Sequence, residues 1–118
     1  MKQFLAVFTG SDSGPNAQKW NALSESDRNK RVREGMQGWG QWMKEHQKSI
    51  VFNGAPLGKT KLVSMTGLSD IKNMMSAFVV VQADSQEQAV TMFLKHPHFT
   101  IFPGDGVEVM ECMPVPKT

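Results

Sequence analysis

Ala77-Phe78-Val79-Val80-Val81-Gln82-Ala83 runs straight into Asp84-Ser85-Gln86-Glu87. The first segment carries a run of β-branched residues and reads as a strand. The second offers an N-cap with an acid three residues on, a capping box. A helix with Ala89, Val90, Phe93 and Leu94 turned inward is expected to follow, stopping near His96 because Pro97 disfavours helical backbone before it. Working backward, Lys61–Met65 reads as a short strand and Gly67–Met75 as a segment with no assigned structure. Ser49-Ile50-Val51-Phe52-Asn53 is a strand closed by the turn Gly54-Ala55-Pro56-Leu57-Gly58. Between Asn16 and about Gln47, Val32, Met36, Trp39 and Met43 form one helical stripe. Ser24, Ser26 and Asp27 look like its caps, with Trp20 and Leu23 in a shorter turn before them. Phe4–Phe8 is the first strand and Val107–Met113 the last.

This order predicts an α+β fold, the ferredoxin-like βαββαβ arrangement with a four-stranded antiparallel sheet. One domain is expected over residues 1–113, with 114–118 as a proline-containing tail. The helices of that fold cover one sheet face. Yet Leu5 and Val7 are as apolar as Phe4, Ala6 and Phe8, and Phe78 and Val80 as apolar as Ala77, Val79 and Val81. A bare apolar face forfeits ~1.5–3 kcal/mol per large side chain. The expectation is therefore a homodimer whose two sheets pack face to face. The competing expectation is that the Gly67–Met75 segment and the tail cover that face.

The 118 residues suit one globular domain, and a net charge of +2 gives no electrostatic case for nucleic acid or an anionic membrane surface. No apolar run is long enough to span a bilayer, and the start lacks the features of a signal peptide. A lone cysteine, Cys112, rules out an internal disulfide and fits a reducing, cytoplasmic setting. It is expected to be a small buried hydrophobe rather than a nucleophile.

Several motifs invite chemistry. Gly54-Ala55-Pro56-Leu57-Gly58-Lys59-Thr60 is one residue short of a phosphate-binding loop and precedes a strand rather than the helix such a loop needs. A glycine-rich turn is the better reading. Gly35, Gly38 and Gly40 interrupt the long helix, each costing about 0.8–1 kcal/mol against alanine. Gly35, Gly38, Trp42 and His46 share one flank of its stripe, where small residues beside tryptophans, Trp39 included, could leave a ligand-binding concavity. The plainer alternative is close approach of helix and sheet. Lys95-His96-Pro97-His98-Phe99 supplies two histidines. Metal binding would need help from Cys112, Glu108 or Glu111, and no spacing demands it, so neither metal nor cofactor is expected. The dipole at a helix end explains a cationic His96, and likewise His46, without function. His96 and His98 remain candidates for acid–base work.

These pieces together resemble the YciI-like (YCII, DGPF-related) proteins. The resemblance rests on Phe4–Phe8, on Gly54-Ala55-Pro56-Leu57, and on Ala77–Ala83 with its capped helix. It extends to His96-Pro97-His98-Phe99, where the family has Asp-Pro and an aromatic residue, and to Gly106-Val107-Glu108-Val109. It implies a dimeric α/β barrel, and lyase or dehydrochlorinase chemistry by a helix histidine paired with that aspartate. Here His96 stands at the aspartate position, and the helix histidine falls near Gln37 or Gly38, about two turns before His46. The expected protein is thus a YciI-like homodimer with a small-molecule cleft walled by Trp39 and Trp42. His96 or His98 would act on an aromatic or hydroxy-acid ligand, with a lyase-like reaction as the expected chemistry. The rival is a non-catalytic binding or interaction module, and a third reading is a metal-dependent isomerase or oxygenase.

Overall fold

A computed structural model describes residues 1–117. Its elements are β1 (Lys2–Thr9), α1 (Pro15–Ala22), α2 (Glu25–Glu45), β2 (Ile50–Pro56), β3 (Thr60–Ser64), β4 (Gly67–Ile71), β5 (Met75–Ala83), α3 (Gln86–Thr91), α4 (Pro97–Thr100) and β6 (Gly106–Glu111). The main sheet is antiparallel in the order β2-β5-β1-β6, which is the ferredoxin-like arrangement once β3 and β4 are set aside. β3 and β4 pair only with each other and form a separate hairpin arm. Gly67–Met75 is thus half strand, and Leu68 and Ile71, three residues apart, lack the alternation that marks one.

The register assigns the two faces. Phe4 opposes Val81, Ala6 opposes Val79 and Phe8 opposes Ala77, and this face meets the helices. Phe4, Ala6, Phe8, Val79, Val81, Trp42, Ala89 and Phe93 form the buried core. α2 begins at Ser24, whose hydroxyl accepts from the Asp27 amide. The Trp42 indole N–H donates to the Met92 carbonyl at 2.6 Å, tying α2 to the end of α3.

The structure corrects the expected closed barrel. The sheet is open, β2 and β6 are its free edges, and no barrel closure is present among the described residues. Cα extents of 56 × 43 × 19 Å fit one sheet and one helical layer. The argument from two apolar faces overstated the bare one. Val7 is only 6% exposed without any cover, shaded by its strand neighbours. Leu5, Phe78 and Val80 are half-buried, while Gln3, Gln82 and Glu108 bring polar groups to the same face. The cost of leaving it in water is therefore smaller than full exposure of each side chain would give.

Smaller corrections follow from local geometry. α3 is capped by Ser85, not Asp84, and its regular turns end at Thr91, so Val90 and Leu94 face outward while Ala89 and Phe93 are buried. The last strand ends at Glu111, leaving Cys112 exposed rather than buried. The proline-containing tail has no regular structure over 114–117, and Thr118 lies outside the described residues. Among the described residues no helix is long and apolar enough to cross a membrane.

Candidate functional site

The space between α2 and the β2–β5 side of the sheet holds a cavity of about 580 Å³. Phe8, Ala77 and Val79 line it from the sheet, and Met36, Trp39, Trp42 and Met43 from α2. Its far wall is the stretch Asn53–Pro56, bulged out of register with β5 between Phe52 and Ala55. Gly54 makes the bulge possible. Its φ is +68°, and a Cβ there would lie 1.8 Å from the Phe78 carbonyl oxygen, so only glycine fits. The Gly54–Gly58 segment is thus a bulged strand end and linker into a second strand, with no helix to face a phosphate. His98 and Phe102 close the remaining side.

The histidines are set by the chain around Lys95, whose φ of 59° turns the backbone sharply ahead of His96. His96 is the N-cap of α4, and its Nδ1 accepts the His98 backbone N–H at 3.0 Å. An amide can only donate, so the neutral His96 ring carries its proton on Nε2. That Nε2 is enclosed and has no hydrogen-bond partner. The ring is packed among aromatics instead, edge-on to Trp39 (centroids 4.5 Å apart) and Trp42 (4.8 Å) and tilted on Phe8 (4.9 Å). Burial first, then the neighbouring His98 and His46, lowers its pKa to about 4. A cationic histidine at a helix end is therefore the wrong picture: His96 begins a helix, and it is buried and neutral.

His98 is oriented differently. Its Nε2 lies 2.7 Å from the Thr9 carbonyl, which can only accept, so the proton sits on Nε2 and Nδ1 keeps its lone pair. No group of the chain hydrogen-bonds that Nδ1 among the described residues. Gly104 permits this placement, because a Cβ there would lie 2.2 Å from His98 Nε2. Burial lowers the His98 pKa, opposed by the Thr9 hydrogen bond and by Asp105. Asp105 itself accepts from the Ser11 amide and the Asn16 side chain.

Of the residues singled out from sequence, Trp39, Trp42 and His98 line the cavity. His96 lies behind it against the two tryptophans. His46 caps the end of α2, its ring 5.0 Å from Trp42, and is not part of the lining. Gly35 and Gly38 lie under Phe102 and Pro97, where a Cβ would come within 2.4 Å and 3.1 Å of those rings. Close contact with α4 and with the segment just after it thus accounts for both glycines. Phe8, Phe78, Phe102 and the bulge are lining features that sequence reading missed. Gly54-Ala55-Pro56 was the available signal, and it was read as a turn. Among the described residues no three His, Cys, Asp or Glu side chains converge as a metal site. A larger open depression of about 1190 Å³ lies beside the hairpin arm, but its lining of exposed lysines and loop residues includes no histidine or aromatic ring.

No protein-family model and no curated protein matches the chain. Among solved structures, the fold is similar to that of 5-chloro-2-hydroxyhydroquinone dehydrochlorinase (TftG) from Burkholderia phenoliruptrix, determined in complex with 2,5-dihydroxybenzoquinone. The two share 16% sequence identity and a TM-score of 0.50, over 91% of this chain and 89% of that chain. At that distance the similarity is one of fold alone: an α+β chain with a four-stranded antiparallel sheet of ferredoxin-like order.

Proposed function

We propose that the chain binds a small hydroxylated aromatic molecule in the cavity under α2, with His98 Nδ1 accepting a proton or hydrogen bond from a ring hydroxyl. The observation that carries this is the unshared lone pair of His98, whose ring lines a mostly apolar, aromatic-walled space in which Asn53 and Ser76 are the other polar side chains. Trp39, Trp42 and Phe8 offer ring faces and edges, and a cavity of about 580 Å³ is in the range of small-molecule sites. The lowered pKa keeps His98 neutral at pH 7, the form a base requires. The imidazolium formed on proton uptake would be stabilised by the Thr9 carbonyl and Asp105. The similar structure is that of a dehydrochlorinase in complex with a dihydroxybenzoquinone, a flat oxygenated ring of this class. Proton removal from a ring hydroxyl, with the proton held on His98 Nδ1, is the step these residues are suited to.

His98→Gln tests this reading, because the Gln Nε2 can still donate to Thr9 while the base is lost. Calorimetric titration should show catechol binding weakened about tenfold, corresponding to ~1.4 kcal/mol, with toluene binding unchanged. Equal catechol affinity in both proteins would overturn the role of His98, and no catechol binding by the parent protein would overturn the site. One observation favours a non-catalytic binding module: among the described residues no carboxylate hydrogen-bonds His96 or His98. Binding that survives His96→Ala and His98→Ala together, without turnover of halogenated hydroquinones, decides for the module.

A further inference from the structure

Three glycines interrupt α2, and only two have a neighbour that needs them. Gly35 and Gly38 receive Phe102 and Pro97, whereas a Cβ on Gly40 would meet nothing within 4 Å. An interior helical glycine is less stable than alanine, and packing does not explain this one. Gly40 lines the cavity, one turn beyond Met36 and three residues before Met43. It is exposed, so its bare backbone forms part of the cavity's rim.

We infer that Gly40 is a specificity-determining position: it keeps the rim between Met36 and Met43 low, so that a ring system wider than one benzene ring can seat on the tryptophans and extend over the helix backbone. This rests on the cavity being a ligand site. The flanking side chains are methionines, flexible and apolar, so the extending part of the ligand is apolar and its hydroxyl lies at the His98 end. A side chain at position 40 would stand in the path of the second ring, and its Cβ would start in open space, with no described atom within 4 Å.

The test compares Gly40→Ala and Gly40→Leu with the parent protein, using phenol and 2-naphthol as calorimetric probes. Gly40→Ala should raise Tm by about 3–6 °C through helix propensity alone. Gly40→Leu should weaken 2-naphthol at least tenfold and phenol less than threefold. Unchanged 2-naphthol affinity in Gly40→Leu, or equal losses for both probes, would overturn the inference while leaving the site intact. Failure of the parent protein to bind either probe would overturn the site and the inference with it. A Gly40→Ala that lowers Tm would mean that the glycine serves the fold, and that too would overturn the inference.

Discussion

Lys95 is the one non-glycine residue among those described whose backbone is left-handed, and it sits directly before His96. A left-handed turn there sends the chain back across the helix layer, so that both histidines of His96-Pro97-His98 point inward, one into the aromatic cluster and one toward Thr9. On its Gly104 side the His98 ring leaves no room for a Cβ, which makes that glycine informative. Gly104→Ala should push His98 off the Thr9 carbonyl, costing about 1–3 kcal/mol by overpacking. In α2, Gly35→Ala gains helix propensity of about 1 kcal/mol but drives a methyl into Phe102, for a net loss of up to about 2 kcal/mol. Gly38→Ala, at 3.1 Å from Pro97 Cγ, should fall between Gly35→Ala and Gly40→Ala. Urea unfolding of the three variants should give the stability order Gly35→Ala, Gly38→Ala, Gly40→Ala, from lowest to highest. Any other order would mean that helix propensity rather than contact decides these positions.

Among the elements, the hairpin arm of β3 and β4 is held least. Its ladder is its own, its cross-strand Lys61–Asp70 pair is exposed, and Val63, Met65 and Leu68 stand in water. A two-stranded hairpin without a buried face is marginal alone. Hydrogen exchange should show the amides of Thr60–Ile71 opening at least tenfold more readily than those of β1 and β5. Equal protection would mean that the arm is a cooperative part of the core. The sequence made the four main strands and the long helix legible, because runs such as Phe4–Phe8 and Ala77–Ala83 and the stripe of Trp39 and Met43 depend on local pattern. The arm was half legible: Lys61–Met65 carries Leu62, Val63 and Met65, whereas Gly67–Ile71 is too polar to read as strand without its partner. The cavity was legible in its tryptophans and in His98. It was not legible in Phe8 or the Gly54 bulge, because those depend on which strand lies beside which. The dipole reading of His96 failed for the same reason, since burial by Trp39, Trp42 and Phe8 is a tertiary fact.

For the molecule as a whole, the consequence of two buried neutral histidines is acid sensitivity. His96 titrates at about 4 when folded and near 6.5 when unfolded, and His98 is shifted in the same direction. Between those pH values the unfolded chain binds more protons than the folded one, so stability rises with pH across the window. It is fully present above about pH 6.5 and drains away as pH falls toward about 4. The His96 shift alone is worth on the order of 3 kcal/mol at the low end, a sizeable fraction of a small domain's total. Carboxylates also begin to protonate below pH 5, so the parent protein's curve by itself would not assign the effect. His96→Asn separates them: asparagine is a good N-cap and can accept the His98 amide, but it does not titrate. The unfolding free energy of this variant should start lower at pH 7.5, because the aromatic contacts of the ring are lost. It should then fall less steeply between pH 6.5 and 4.5, the two curves converging as acid is added. Parallel curves would show that His96 is protonated inside the fold, and the tautomer assigned to it, with the neutral aromatic-caged ring that backs the cavity, would then be wrong.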